Sequence, residues 1–203
     1  MEAFLRASKW GRVLTAAQMD EVVSATTERS IDAGGFVARA GDAVRHWIGV
    51  VEGFVKMSVG STHGKHSTLT GVPPGAWFGE GSLMKHERLR YDVIAIVDSK
   101  IALVPAKTFD WLRRSSFEFN HFLQDLLNAR LSLFIGILTH DRLLDVDARV
   151  AHAVASLFDD ALYGHPDHFL GLTQDEIGLL ANVSRQRANG ALRDLQARGL
   201  IRL

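Results

Sequence analysis

The sequence contains no cysteine. That absence excludes a disulfide framework, a thiolate zinc site and a cysteine-ligated iron–sulfur cluster. It is compatible with the cytoplasm, which is the expected location. Net charge is missing as well: 23 basic and 23 acidic residues cancel over 203 positions. The chain as a whole therefore carries no nucleic-acid signature. Long apolar runs are absent. The longest, "LSLFIGIL", falls short of the roughly 20 residues that span a bilayer. The opening "MEAFLRASKWGRVLTAAQMDE" lacks the continuous apolar core of a signal peptide, so no membrane partner is expected. No P-loop, nucleophile–base pair or histidine–carboxylate cluster is readable, so an enzyme is not expected. What is present is an apolar share of 47%. That is enough for a sizeable core in one large or two small domains, with no sign of disorder.

From about Ile31 to Val104 the chain reads as short strands. "FVARAGD", "HWIGVVEGFVKMSV", "HSTLTGV", "YDVIAIVD" and "KIALVPA" mix β-branched and apolar residues, with Gly41, Gly53, Gly60, Gly64 and Gly71 at the breaks. Many short strands with glycine turns suggest a sandwich or barrel. "TAAQMDEVVSATT" before them reads as a short amphipathic helix. After Ser115 the period changes. A long helix runs to about Leu144, with Phe122, Leu123, Leu126, Leu127, Leu131, Phe134, Ile137, Leu138 and Leu144 at three- and four-residue steps. Its apolar residues cover more than one face, which one small barrel cannot bury. The expectation is a homodimer with Leu123, Leu127, Phe134, Ile137 and Leu138 on the dimer helix.

The C-terminal stretch "LTQDEIGLLANVSRQRANGALRDLQARGLIRL" has a different logic. Thr173 and Glu176 form a T-x-x-E capping box that starts a helix, whose apolar face is Ile177, Leu179 and Leu180. Asn182 stands where a tight turn needs a left-handed residue. Ser184 caps a second helix that buries Ala188, Leu192 and Leu195. Arg185, Gln186, Arg187, Asn189 and Arg193 are on its outer face, and Gly199 ends it. Between Ser184 and Leu203 five arginines face one acid, Asp194. This is helix-turn-helix geometry with a basic second helix, and arginine, glutamine and asparagine suit base edges in the major groove of double-stranded DNA.

This stretch resembles the winged-helix DNA-binding domain of the CRP/FNR superfamily of bacterial transcription regulators. "AGGFVARAGDAVRHWIGVVEGFVKMSV" is similar to the first half of that family's cyclic-nucleotide-binding β-roll. The likeness runs through nearly the whole chain in the family's order. It implies an α+β fold: an N-terminal jelly-roll-like β-roll sensor over 1–114, a dimerisation helix over 115–144 and a helix-turn-helix domain over 145–203. "LIRL" would begin the wing, which is incomplete at Leu203. The resemblance implies a homodimeric regulator that binds a pseudo-palindromic site and works with RNA polymerase. Base readers would be Arg185, Gln186 and Asn189, with Thr173, Ser184 and Arg187 completing the DNA-binding set. Gly190 stands where the family often carries a further arginine.

The resemblance also implies an effector pocket around "GAWFGEGSLMKHERLRYDVIAI". Gly79 and Glu80 match the family's Gly-Glu pair, Ser82 lies in the short helix after it, and Arg90 falls at the phosphate arginine with Arg88 as competitor. Tyr91 and Asp92 replace the small residues expected next, and Phe134 and Ile135 fall at the family's adenine-contacting positions. Neither of these two can hydrogen-bond a purine. The effector is therefore expected to be something other than cyclic AMP, or absent. A small, fairly apolar ligand would suit a pocket bordered by Trp77, Phe78, Tyr91, Phe134 and Ile135. The alternative is a cyclic-nucleotide-responsive regulator holding the nucleotide at Glu80 and Arg90. Otherwise Glu80 and Arg90 would pair with each other or with loop amides. No cofactor and no metal site is assigned. His63 and His66, and His165 and His168, read as solvated loops. His86 is the histidine nearest the effector loop and the one to test for haem or pH sensitivity.

Overall fold

The computed structural model describes residues 1–60, 66–163 and 171–203. The chain opens with α1 (Glu2–Ala7), a 3-10 turn (Gly11–Val13) and α2 (Ala16–Ala25). A reciprocal capping box starts α2: the Thr15 hydroxyl accepts from Gln18 N–H, and the Gln18 carboxamide accepts from Thr15 N–H at 3.0 Å. Eight strands follow: β1 (Thr27–Ile31), β2 (Phe36–Ala38), β3 (His46–Glu52), β4 (Val55–Gly60), β5 (His66–Val72), β6 (Trp77–Phe78), β7 (Asp92–Ala95) and β8 (Ser99–Pro105). They pair antiparallel in two four-stranded sheets, ordered β1-β8-β3-β6 and β2-β7-β4-β5. The short α3 (Glu80–Lys85) interrupts them after β6. This is the β-roll, in the α+β setting expected.

The two faces of β3 explain its apolar text. Ile48 and Val50 point between the sheets, where Val55, Met57, Phe78, Val93 and Ile101 complete one core. Trp47 points the other way, into a second core built with Trp10, Trp77, Phe109 and Phe119. A strand buried on both sides loses the polar half of its alternation. The second core is almost wholly aromatic around Trp47: ring centroids lie 5.0 Å away for Trp10, 4.4 Å for Trp77, 5.4 Å for Phe109 and 5.5 Å for Phe119. It fastens α1, α4 (Ala106–Ser115) and the start of α5 (Phe117–Leu143) to the outside of the first sheet.

α5 has 27 residues, about 40 Å at 1.5 Å per residue. Ser116 caps it by accepting from Phe119 N–H at 3.1 Å. Phe119, Leu123 and Leu126 are buried against the roll. Leu123 was expected on the dimer face. It is 2% exposed and packs in the aromatic core instead, because it shares its helical face with Phe119 and Leu126. Leu131, Ile135 and Leu138 form an outer stripe, 55–60% exposed, beside half-buried Leu127 and Phe134. Ile137 is half-buried on the side facing the next helix, where it lines a cavity with His140 and His152. By length and composition α5 could cross a membrane, although no single run in it is long enough. It carries Asp125, Arg130 and Asp141, and Arg130 is spent on a contact to the roll.

The described residues after α5 form four helices: α6 (Val146–Ser156), α7 (Asp160–Tyr163), α8 (Gln174–Leu180) and α9 (Arg185–Ala197). Val150, Ala181, Ala191 and Leu192 make their small core, covered by Ile177 and Ile201. Gly71, expected at a break, lies inside β5. A Cβ there would stand 2.6 Å from the Phe54 ring and 2.9 Å from Leu157, so glycine lets Leu157, just after α6, close onto the sheet. The wing strand expected at "LIRL" is not formed: residues 201–203 have no regular structure.

Trp47 is fully buried among four aromatic rings, so Trp47→Ala is expected to cost about 3–5 kcal/mol. A urea-unfolding series measures this. A loss below about 1 kcal/mol would mean that the aromatic core does not hold the helices on the sheet.

Candidate nucleic-acid interface and effector pocket

The helix pair α8–α9 is built by its caps. Thr173 accepts from Glu176 N–H at 3.3 Å and Ser184 from Arg187 N–H at 3.4 Å. Asn182 has φ 53°, the left-handed turn its side chain tolerates. Gly199, φ 73°, closes a Schellman motif: Leu200 N–H donates to Leu195 C=O at 3.0 Å and Gly199 N–H to Gln196 C=O at 2.9 Å. One half of the expected capping box is absent. The Glu176 carboxylate leaves the helix end and meets Lys56 of β4 at 3.0 Å, largely out of solvent. Leu179, expected on the apolar face of α8, is 45% exposed; Gly178 takes the buried place beneath Val183.

On α9, Arg185, Gln186 and Arg187 are exposed at the first turn, and Arg193 lies further along. Among the described residues Arg187 and Arg193 have no ion-pair partner, and Arg185 has only a loose one, Asp175 at 3.5 Å. Cations that the protein does not use are available to an anion outside it. Asn189 differs from the expectation. It is half-buried, and its Oδ1 is inside the domain with no hydrogen-bond partner among the described residues. One residue past Ala188, it lies at the margin between the buried and open faces.

In the roll, Gly79 (φ 95°) precedes α3 and Glu80 opens it. Glu80 is 2% exposed. Its partner is Arg130 of α5, not Arg90: Arg130 Nε lies 3.3 Å from Glu80 Oε1, and Arg130 Nη2 donates to Trp77 C=O at 2.8 Å. Among the described residues Glu80 Oε2 and Arg130 Nε have no hydrogen bond. Arg90 points outward, with 78% of its side chain exposed and Glu87 at 3.1 Å. Arg88 is exposed too and donates to Gly41 C=O at 2.7 Å. Tyr91 turns inward and packs on the roll core. Asp92 accepts from Ala40 N–H at 2.8 Å. Ser82 is half-buried, with its backbone C=O accepting from Glu87 N–H at 3.0 Å. Phe134 borders a cavity of about 10 Å³ with Arg130, Leu162 and Tyr163. Ile135 is on the outer stripe, so the pocket wall expected of it is supplied by Leu133. His86 is exposed at the end of α3. His63, His165 and His168 lie outside the described residues, as does the side chain of His66.

Three partners were not foreseen. Arg130 is a lone cation in the apolar text "LLNARLSLF", one turn after buried Leu126, and that break in the inner stripe was a usable signal. Lys56–Glu176 and the burial of Leu162 and Tyr163 join residues far apart in sequence and had none.

Burial, then the Glu80 carboxylate, pushes the Tyr91 phenol up to about 12, while Arg130 acts the other way. Burial also raises Tyr163, and these are the only tyrosines. A phenol held above its unfolded value stabilises the fold fully below pH 10 and loses that contribution as pH rises towards 12. Tyrosinate absorbance should therefore rise together with alkaline unfolding, above the usual pH of 10; a tyrosine ionising at its ordinary pH in the folded protein would contradict the packing. Arg130→Met strands the Glu80 carboxylate and is expected to cost about 3–5 kcal/mol in urea unfolding. Adding Glu80→Gln should recover a good part; no recovery would mean that the two do not interact.

Residues 28–116 match the cyclic nucleotide-binding domain family, and residues 148–203 match the Crp-like helix-turn-helix domain. The cAMP-activated global transcriptional regulator Vfr of Pseudomonas aeruginosa is 25% identical over 190 residues, 90% of this chain and 88% of that protein. The cAMP-activated regulator CRP of Haemophilus influenzae is 28% identical over 155 residues, 75% of this chain and 69% of that one. The Thermus thermophilus catabolite activator protein superposes with a TM-score of 0.56 at 25% identity, covering 97% of this chain and 90% of that one. FixK2 of Bradyrhizobium japonicum shares the fold, with a TM-score of 0.73 at 18% identity over 88% of each chain. A β-roll of the cyclic nucleotide-binding type, followed by a long helix and a Crp-like reading head, makes this chain a transcription regulator of the CRP/FNR superfamily.

Proposed function

We propose that this regulator acts in the cytoplasm as a homodimer on a pseudo-palindromic DNA site, and that it is not an enzyme. In this reading 1–114 senses, 115–144 dimerises and 145–203 reads DNA. The observation that carries it is the first turn of α9, where Arg185, Gln186 and Arg187 are exposed together on a helix held by caps at both ends. Arg185 and Gln186 read bases; Arg187, Thr173 and Ser184 fix the helix on the backbone. Asn189 serves only after a small rotation out of the head. The outer stripe of α5, Leu131, Ile135 and Leu138, packs on the same stripe of a second copy, since two-fold pairing is the simplest cover for a long apolar face. The two heads then face half-sites about 34 Å apart. RNA polymerase is the partner at the promoter, by family likeness.

Vfr and the Haemophilus influenzae CRP are described as cAMP-activated; for this chain we propose a different effector. Supporting this, the arginine at the phosphate position is outside the roll and paired with Glu87, while Tyr91 stands within it. Titration calorimetry should show no cyclic AMP binding at micromolar ligand, and micromolar binding overturns that assignment.

Arg185→Ala should weaken binding to a selected target sequence by about 1–3 kcal/mol and relax preference at one base. Fluorescence anisotropy on target and scrambled duplexes measures both; equal weakening on each refutes base reading. Leu131→Asp with Leu138→Asp should convert the dimer to monomer in sedimentation equilibrium, and an unchanged mass moves the interface elsewhere.

A further inference from the structure

The helix α7 belongs by sequence to the segment leading into the reading head, yet its last two side chains are inside the sensor. Leu162 and Tyr163, each 6% exposed, sit in the core of the roll with Met57, Val72 and Phe78. The Tyr163 hydroxyl reaches Gly71 C=O at 3.4 Å. They close the space next to Arg130, leaving about 10 Å³, roughly the volume of one water. We propose that α7 is a displaceable plug: Leu162 and Tyr163 occupy the effector pocket, and a ligand enters only by expelling them, which unfastens the reading head from the roll. The proposal rests on the sensor reading above and adds its regulation.

Three observations support a plug over a permanent part of the core. The first is the polar pair it covers. Among the described residues a buried carboxylate oxygen and a buried guanidinium nitrogen, Glu80 Oε2 and Arg130 Nε, have no hydrogen bond. Such groups are costly unless something completes them, and nothing on α7 does. The second is the weakness of α7 itself. It is one turn of four residues, too short to hold as a helix alone. Its polar ties to the rest include the exposed Lys9–Asp160 pair at 3.0 Å, a further hydrogen bond from Lys9 to the Asp160 carbonyl, and the Tyr163 hydroxyl's contacts to Gly71 C=O at 3.4 Å and to the Thr70 side chain. A single helical turn outside both sheets opens without unfolding them. The third is connection. α7 follows α6 directly, and α8 is tied to β4 through Lys56–Glu176. Withdrawing α7 removes a large part of the apolar attachment between head and roll and leaves Leu157 against the sheet and the Lys56–Glu176 pair. A ligand thereby favours the released head through differential affinity for the unplugged roll.

The natural absence of cysteine supplies the test. In full-length Leu162→Cys the introduced thiol is the only one, and its rate of reaction with Ellman's reagent reports α7 opening. Leu123→Cys, in the core of α5, is the control. The Leu162→Cys thiol should react at least about tenfold faster than the control, because it needs local and not global opening. Lys9→Ala added to it should raise the rate about two- to fivefold, leaving the Leu123→Cys rate unchanged. Equal rates for the two thiols would show that α7 is fixed core and overturn the plug. Should either cysteine variant fail to fold, amide exchange on the unmodified protein decides: faster exchange across 161–163 than across 123–126 supports the plug, and equal protection removes it. Neither readout uses DNA or effector. The plug can therefore fail while the head still binds its site, and DNA binding can fail while the plug still opens.

Discussion

The contact on which the rest depends is the buried pair of Glu80 and Arg130. Glu80 is placed by the turn at Gly79, and Arg130 by the inner stripe of α5. Removing both charges from water is expensive, and their mutual attraction does not guarantee a net gain in stability. What the pair does is set register. Arg130 also donates to Trp77 C=O, so α5 cannot slide along the roll without breaking two contacts. With α5 in this register, Leu131, Ile135 and Leu138 face outward as a continuous stripe, and Leu144 ends the helix ahead of α6.

That register also decides which residues build the pocket. The polar residues of the loop after α3 go outward: Arg88 donates to Gly41 C=O in the loop before β3, and Glu87 gathers Lys85 and Arg90. Inside remain Tyr91, Phe134, Leu133 and the Glu80–Arg130 pair. The interior is thus mostly apolar, with the charged pair and the Thr70 hydroxyl as its polar groups, unlike the basic cradle a phosphate needs. The same space receives Leu162 and Tyr163 because no other large side chain fills it, and packing does not leave such a volume empty.

The head is held together by local chemistry. Thr173, Asn182, Ser184 and Gly199 each satisfy a backbone need within a few residues, which is why all four were readable. β1 shows the opposite case. "TERSI" is an edge strand with mostly exposed side chains, and a charged edge carries no apolar alternation to detect. Gly71 was read as a break, although it lies within a strand and makes room for Leu157. The spacing of Leu123 fits an outward as well as an inward face, because the helix is apolar around much of its circumference. Glu176 met the motif of a capping box, and a lysine more than a hundred residues away took its carboxylate.

The amino-acid sequence by itself determined the order of parts, the caps of the reading head, the basic first turn of α9 and the apolar surplus of α5. Each depends on neighbours within one or two helical turns or on strand periodicity. Only the tertiary structure decided that Glu80 meets Arg130, that Arg90 leaves the pocket, that Lys56 holds Glu176 and that Leu162 and Tyr163 fill the roll. Those choices are competitions among several cations for one buried carboxylate and among several apolar side chains for one cavity. Distance in space settles such competitions, and distance along the chain does not encode it.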